Sequence, residues 1–427
     1  MFEAVKILVI TYYWPPAGGS GVQRWLKFIK YLVQFGNEVH VITPYPDKAS
    51  YPLKDESLLH DVPEEVKVHY TDTREPFALY RKITGKKEIP HSGFANESNP
   101  SKLQKLARFI RGNLFIPDAR IGWNKFAIQK AAEIITQNHI KEVIISSPPH
   151  SSQLIGLRLK EQFGIRWIAD MRDPWTDIYY YNELRHTKKA ESKDKALEKK
   201  VLETADEIIT VSPYIKRLFA NKSALIKESK IHVIPNGYDE EDFQQVPQRD
   251  TKEFTIAYTG ALSQKYIHKP VIFAVRQFLE SHNARMQLAG KVSEEFLQFF
   301  DQKQYGYWGY VRHDESIKLL MNADVLLLII PRTENNEGIL TGKLFEYLAV
   351  HKPILAIGPK QGDAAAIIRE CESGKVFDYS EKEEILNYLK ELYKQKNKQG
   401  FLTAGNDKVE QYSRKNLTKT LIEILHE

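Results

Sequence analysis

Between Glu337 and Ile357 the chain reads EGILTGKLFEYLAVHKPILAI, and four neighbouring residues there could do chemistry together. Thr341 can cap a helix that starts at Gly342, leaving backbone N–H groups facing an anion. Leu344, Phe345, Leu348 and Ala349 then form one apolar face, while Lys343, Glu346 and Tyr347 fall on the other. A lysine and a carboxylate beside an anion-ready helix start suit a diphosphate and a ribose. The same pattern also fits an ordinary helix with a solvated Lys–Glu pair. The apolar run Val325 to Ile330 precedes the stretch and a second apolar run ends it. The unit therefore reads as strand, glycine loop, helix, strand, a parallel β-α-β whose ligand edge is the carboxyl end of the strands.

Three further groups lie where strands are expected to end. Gly18, Gly19 and Gly21 follow an apolar strand over residues 5–13 and precede a helical pattern from Val22, with Gly36 as its stop. They imply a close approach of backbone to ligand, or a tight turn. His150 follows two prolines after the strand Val143 to Ser147, as a contact to ligand or a plain loop histidine. Asp170, Arg172, Asp173 and Trp175 follow the strand Arg166 to Ala169. They could bind hydroxyl groups and stack a sugar ring, or form a buried ion network and core.

The elements that must position these residues divide into two α/β halves. The acidic, glutamine-rich segment Asp239 to Lys252 has no apolar period and reads as the linker. This gives an expected domain at 1–245, a second at 253–405 and a C-terminal helix within 406–427, its apolar face at Leu417, Leu421, Ile422 and Leu425. A chain of 427 residues is too long for one core. With one cysteine, Cys371, it can form no internal disulfide, which fits a reducing cytoplasm. Glu3 and the short run Ile7 to Ile10 do not read as a signal peptide, and no apolar run reaches membrane-spanning length. The net charge of +6 is concentrated: from Arg74 to Lys125 there are eleven Lys/Arg against four Asp/Glu. Within that stretch, residues 101–114 place Leu103, Leu106, Phe109, Ile110 and Leu114 on an apolar stripe among Lys102, Lys105, Arg108 and Arg111. That is a basic amphipathic helix, lying on an anionic membrane surface or packed on its own domain with a solvated basic face. Nothing points to nucleic acid.

Taken in order, PPAGGSGVQR, SSPPHSS, ADMRDPW, ITVSPYIKRLF, VIPNGYD, AYTGAL, GYVRHDESIKLLMNADVLLLI and TGKLFEYLAVHKPILAIG resemble the retaining GT-B glycosyltransferases of the family 4 class over almost the whole length. The resemblance implies an α/β fold of two Rossmann-like domains with parallel sheets facing across a cleft, the terminal helix crossing back to the first. It implies a nucleoside diphosphate sugar on the second domain and a glycan or lipid-linked acceptor on the first. Glu346 matches the glutamate that contacts the ribose. The glutamate that contacts the donor sugar should stand at position 338, which is Gly338 here, so Glu337 is the substitute. Thr341, Gly342 and Lys343 fall where the phosphates bind, and Gly309, Tyr310 and Val311 where the base packs. Gly260, Lys265 and Lys269 fall after the second domain's first strand, where diphosphate ligands are usual. Gly18, Gly19 and Gly21 match the first-domain loop that approaches the diphosphate.

The implied reaction is retaining transfer of a hexosyl group, in cell-surface polysaccharide or lipid-linked glycan assembly at the inner face of a membrane. Glu337, His150 and Lys343 are the catalytic candidates. Basic side chains and helix N-termini can stabilise the leaving diphosphate, so no metal and no further cofactor is expected. A nucleotide-sugar epimerase of the same fold and an inactive sugar-nucleotide-binding partner are the rival readings.

Overall fold

The computed structural model describes residues 3–76, 102–243 and 253–427, without the side chains of Ser20, Lys102, Leu103, Gln104 and Ala107. Most of the expected linker, from 244 to 252, lies outside the described residues. Two compact units emerge, one of residues 1–235 with 417–427 and one of residues 236–416.

The first unit is built on seven parallel strands: β1 (Lys6–Ile10), β2 (Glu38–Pro44), β3 (Lys67–Thr71), β4 (Glu142–Ser147), β5 (Arg166–Met171), β6 (Glu207–Thr210) and β7 (Ile231–Val233). Their order is β3-β2-β1-β4-β5-β6-β7. The order reverses at β1 and β4, which places the loops after those strands at the switch point where open sheets take ligands. The strands read as continuous apolar runs because helices cover both faces of the sheet. The last helix, Arg414–His426, joins this unit from Leu417 on. Leu417, Leu421, Ile422 and Leu425 enter the first core, as their spacing predicts. Arg166 fixes the helix end by donating to the Ile424 carbonyl at 2.7 Å, while its other amino group meets Glu142 at 3.2 Å.

The second unit has six parallel strands: β8 (Phe254–Thr259), β9 (Ala284–Ala289), β10 (Tyr305–Tyr307), β11 (Val325–Ile329), β12 (Ile354–Ile357) and β13 (Gly374–Phe377). Their order is β10-β9-β8-β11-β12-β13. The run VLLLII shows how strand alternation builds two cores at once. Val325, Leu327 and Ile329 enter the cluster on one face, and Leu326, Leu328 and Ile330 the cluster on the other. The α/β class and the two parallel sheets expected from the sequence are both present.

Candidate active site

In the first unit, the carboxyl edge of the sheet carries three glycines, His150 and the Asp170–Trp175 segment. The helix Ser20–Gln34 starts after Gly19, whose φ of 103° lies in the region that favours glycine. Two residues on, a Cβ at Gly21 would lie 2.3 Å from Nη1 of Arg172, so the missing side chain is what lets that guanidinium rest on the helix start. Arg172 is held from behind by donating Nε to the Ser147 carbonyl at 3.1 Å. Gly21 and Arg172, apart in sequence, therefore form one cationic corner.

Asp170 takes the other of its two expected roles. β5 runs on to Met171, which draws Asp170 into the sheet, where it is fully buried. It accepts from Arg24 Nη2 at 2.9 Å, Trp25 Nε1 at 2.7 Å and Ser146 Oγ at 2.8 Å. Arg24 in turn donates to the carbonyls of Ile234 and Pro235 at 2.9 and 2.8 Å. In this internal network both Asp170 oxygens are engaged, so it offers no carboxylate to a ligand. Trp175 is likewise core: it is buried and its Nε1 donates to Asp194 at 2.9 Å. Its ring still serves the edge, because His150 stacks on it at 4.9 Å with the planes 13° apart. Burial pushes His150 down to about 4 and Arg172 adds to this, while Asp118 opposes both. The imidazole is neutral at neutral pH, and its Nδ1 is buried with no hydrogen-bond partner among the described residues. Burial raises the Asp173 carboxyl against the pull of Arg172.

Sequence reasoning missed Arg120, whose guanidinium lies 5.3 Å over the Tyr12 ring and 5.4 Å over the Tyr13 ring at the end of β1. The aromatic pair directly after β1 was the available signal.

The helix Lys102–Leu114 inverts one expectation. Arg108 turns inward to Glu183 at 3.4 Å, and Arg111 is half-buried. Gly112 packs on Leu184, where a Cβ would meet the backbone oxygen at 2.7 Å. Leu106, Phe109, Ile110 and Leu114 are instead 54%, 43%, 39% and 75% exposed. A helix packed by its apolar stripe with its arginines solvated is therefore excluded for these residues. Small and polar groups pack inward because Gly112 and Asn113 lock to residues 184–187, with Thr187 N donating to Asn113 Oδ1 at 2.7 Å.

In the second unit the helix Gly342–Val350 begins after Thr341, as its residue types predict. Thr341 makes no side-chain cap, however, and its hydroxyl is buried without a partner among the described residues. Lys343 is half-buried and donates to the Tyr258 hydroxyl at 2.6 Å, with its ammonium 4.2 Å from the centre of that ring. Gly260, at φ 106°, makes the room: a Cβ there would lie 2.6 Å from Lys343 Cε. Burial brings Lys343 down to about 8, with Glu346 opposing. Glu346 is half-buried and raised by burial, against the pull of His313 and Arg414. Tyr347 is not on the polar face; it is buried, its hydroxyl donating to the Leu327 carbonyl at 3.3 Å and accepting from Thr259 N at 3.4 Å, because this face of the helix lies over β8 and β11.

The remaining candidates scatter around this centre. Gly309 has φ 65° and accepts from Gly290 N at 2.6 Å, with Tyr310 exposed and Val311 half-buried beyond it. Lys265 and Lys269 are both exposed, on either side of His268, which precedes the helix Lys269–Ser281 without a side-chain cap bond. Glu337 is exposed on the turn Asn336–Gly338, whereas Gly338 is buried. Among the described residues, its carboxylate makes no hydrogen bond to Lys343 or Thr341. The Asp242–His313 pair beside Glu346 was also missed; the histidine directly after GYVR was its signal. One group of metal-ligand geometry does occur among the described residues. Glu207, His232 and Glu427 bring their ligand atoms within 4.8 Å of one another, at the amino end of β6 and so away from the edge that carries the glycines. The three are distant in sequence, so no spacing betrays them.

Residues 89–242 match the model of Glycosyltransferase Family 4. No curated protein matches the chain in sequence. Among solved structures, Anabaena Alr3699/HepE in complex with UDP aligns at a TM-score of 0.63 and 14% identity, over 99% of this chain and 100% of that one. TarM aligns at 0.63 and 9% identity, over 100% and 99%. Sucrose-phosphate synthase from Thermosynechococcus elongatus aligns at 0.60 and 12%, over 99% and 98%. At these identities the likeness establishes the fold, which is the GT-B fold the motifs imply.

Proposed function

On the premise that this is a chain of GT-B glycosyltransferase type, by its fold and its family 4 segment, we propose that it transfers a hexosyl group, with retention, from a nucleoside diphosphate sugar to a glycan or lipid-linked acceptor. The second unit takes the donor and the first unit the acceptor. The observation that carries this reading is the helix start at Thr341. A hydroxyl without a partner among the described residues, a half-buried ammonium and a half-buried carboxylate lie there on one helix start. Lys343 is held at about 8 by burial, so a phosphate beside it restores its full charge. That response strengthens as negative charge develops on the leaving diphosphate, and this is what lowers the barrier. Glu346 accepts from the ribose hydroxyls. Arg172, resting on the helix start at Gly21, is a cationic group within the first unit, suited to a polar acceptor there.

His150 works as a neutral hydrogen-bonding group toward the sugar or acceptor, since burial denies it a charge. Glu337 reaches the donor sugar in place of the glutamate absent at position 338. No metal is needed by this scheme: Lys343 and the helix N-terminus beside it supply the positive charge. HepE was crystallised with UDP and with UDP-glucose, which makes uridine the first base to try.

The setting is the surface of a membrane, where glycans for the cell exterior are assembled. No helix among the described residues is long and apolar enough to cross a membrane. Leu106, Phe109, Ile110 and Leu114 instead offer an apolar face beside exposed Lys105, suited to the headgroup boundary of an anionic leaflet.

The test is a thermal-shift panel of UDP-, GDP-, ADP- and dTDP-sugars, followed by product analysis with the best donor. Stabilisation by one family of donors and slow donor hydrolysis lost in Glu346→Ala are expected. Free epimerised sugar nucleotide with no glycoside would establish the epimerase instead. Tight nucleotide binding with neither hydrolysis nor transfer would establish an inactive binding partner.

A further inference from the structure

Behind Glu346 lies a chain of titratable groups that the transfer scheme does not use. His313 opens the helix His313–Met321. Its Nε2 bonds Asp242 Oδ2 at 3.1 Å, and its Nδ1 faces Glu346 Oε1 at 4.0 Å, an ion-pair distance rather than a hydrogen bond. The three side chains are 28%, 19% and 25% exposed, so the imidazole is shielded yet reachable by solvent protons. Asp242 comes from the turn Glu240–Phe243 and Glu346 from the helix Gly342–Val350. Arg414, on the last helix, is the other charge that faces the pair. Arg414 is itself anchored by donating Nε to the Asn236 carbonyl at 3.2 Å.

We propose that His313, held by Asp242, is the positioning residue for Glu346, and that its proton sets the affinity for the donor's ribose. The proposal rests on the reading of Glu346 as the ribose contact. A protonated imidazole draws one carboxylate oxygen of Glu346 toward the histidine and leaves the other for the ribose hydroxyls. A neutral imidazole lacks that pull, and the half-buried carboxylate is left with Arg414 and Lys343.

The charges favour the protonated form. Burial and Arg414 lower the His313 value, but the bond to Asp242 and the charge of Glu346 raise it above the ordinary range overall. The helix start also disfavours a cation there. A direct bond to a carboxylate at 3.1 Å outweighs it, because the dipole acts as about half a charge spread over the first turn. With its folded value raised, the His313 proton is held fully at acid pH and lost as pH rises through that value. Affinity for the donor nucleotide follows it down.

Isothermal titration of UDP, GDP and ADP against the full-length protein from pH 5.5 to 9 tests this. The readout is the difference between wild type and His313→Asn, because the terminal phosphate of the nucleotide and Lys343 titrate in both and cancel. His313→Asn should bind the preferred nucleotide about three- to fivefold more weakly at pH 6 and should equal wild type at pH 9. Asp242→Asn should move the wild-type pH profile toward lower pH, by releasing the proton earlier. His313→Lys, which keeps a charge, should flatten the profile without the loss at pH 6, and this separates positioning from a merely structural role. Glu346→Gln should weaken binding at every pH. A His313→Asn profile parallel to wild type, alongside a weakened Glu346→Gln, overturns the positioning role and leaves the ribose reading standing. Unchanged binding in Glu346→Gln, or no binding of any of the three nucleotides to wild type, overturns both. Far-UV circular dichroism of each variant confirms folding, and Asp242→Asn carries the test if His313→Asn fails to fold.

Discussion

The carboxyl edges of the two sheets use their charges in opposite ways. At the first edge the strongest pair is closed on itself. Asp170 accepts from Arg24, Trp25 and Ser146, and Trp175 donates its Nε1–H to Asp194. At the second edge Lys343 donates to a phenol, with no carboxylate in hydrogen-bond reach among the described residues, and Glu346 faces His313 across 4.0 Å. A saturated network gives shape and rigidity, and its polar groups have nothing left for a ligand. A half-buried charge with an incomplete partner is held in an unfavourable state that a ligand of opposite charge relieves. Similar residue types after parallel strands therefore yield a closed internal network in one unit and half-buried charges with looser partners in the other.

Substitution can break this contrast. The largest effect is expected from Asp170→Ala, which strands the Arg24 guanidinium in the core. Loss of about 3–5 kcal/mol, or roughly 6–20 °C in the melting temperature of the first unit, should appear by differential scanning calorimetry. Near-wild-type melting would mean that the network is not structural. Lys343→Ala should do the reverse: melting unchanged or raised, with nucleoside diphosphate affinity about 10- to 100-fold weaker in calorimetric titration. The same lysine predicts that wild-type affinity falls as pH rises past about 8, because its folded value is depressed to that point and its proton is what the phosphate needs. His150→Ala should reduce transfer about tenfold with donor affinity unchanged in the same titration. Being held at about 4, His150 should contribute no acid limb to the rate between pH 6 and 7. The smallest effects belong to the helix Lys102–Leu114. Leu106→Ser with Leu114→Ser should weaken sedimentation with anionic vesicles several-fold, Lys105→Gln about fivefold, and Arg108→Gln hardly at all, because Arg108 faces Glu183. Equal losses for Arg108 and the leucines would return the basic face to the surface.

The fold was legible because its signals are local. VLLLII sorts its residues to two faces by alternation, and Leu417, Leu421, Ile422 and Leu425 reach the first core by helical spacing. The second edge was partly legible for the same reason: Thr341, Lys343 and Glu346 lie within one helical turn and a half of one another. What escaped is long-range. Asp242 and His313 meet across 71 residues, and nothing in either segment announces the other. Asp170 and Arg24 are 146 residues apart, so whether Asp170 faced ligand or core depended on where β5 ended. Tyr347 reads as polar by helix position and is buried because its face of the helix lies over β8 and β11. The helix Lys102–Leu114 shows the limit of periodicity: amphipathicity reveals two faces, and only Gly112 and Asn113 locking to residues 184–187 decides which turns inward.

The claim on which the rest depends is that the second edge binds a nucleoside diphosphate through Lys343 and Glu346. Calorimetric titration of UDP, with GDP and ADP beside it, into wild type, Lys343→Ala and Glu346→Gln tests it most directly. The account predicts one-site binding of a preferred nucleotide to wild type and at least tenfold weaker binding to each variant, with melting temperatures preserved. Wild-type affinity in both variants, or no binding of any of the three nucleotides to wild type, would contradict it.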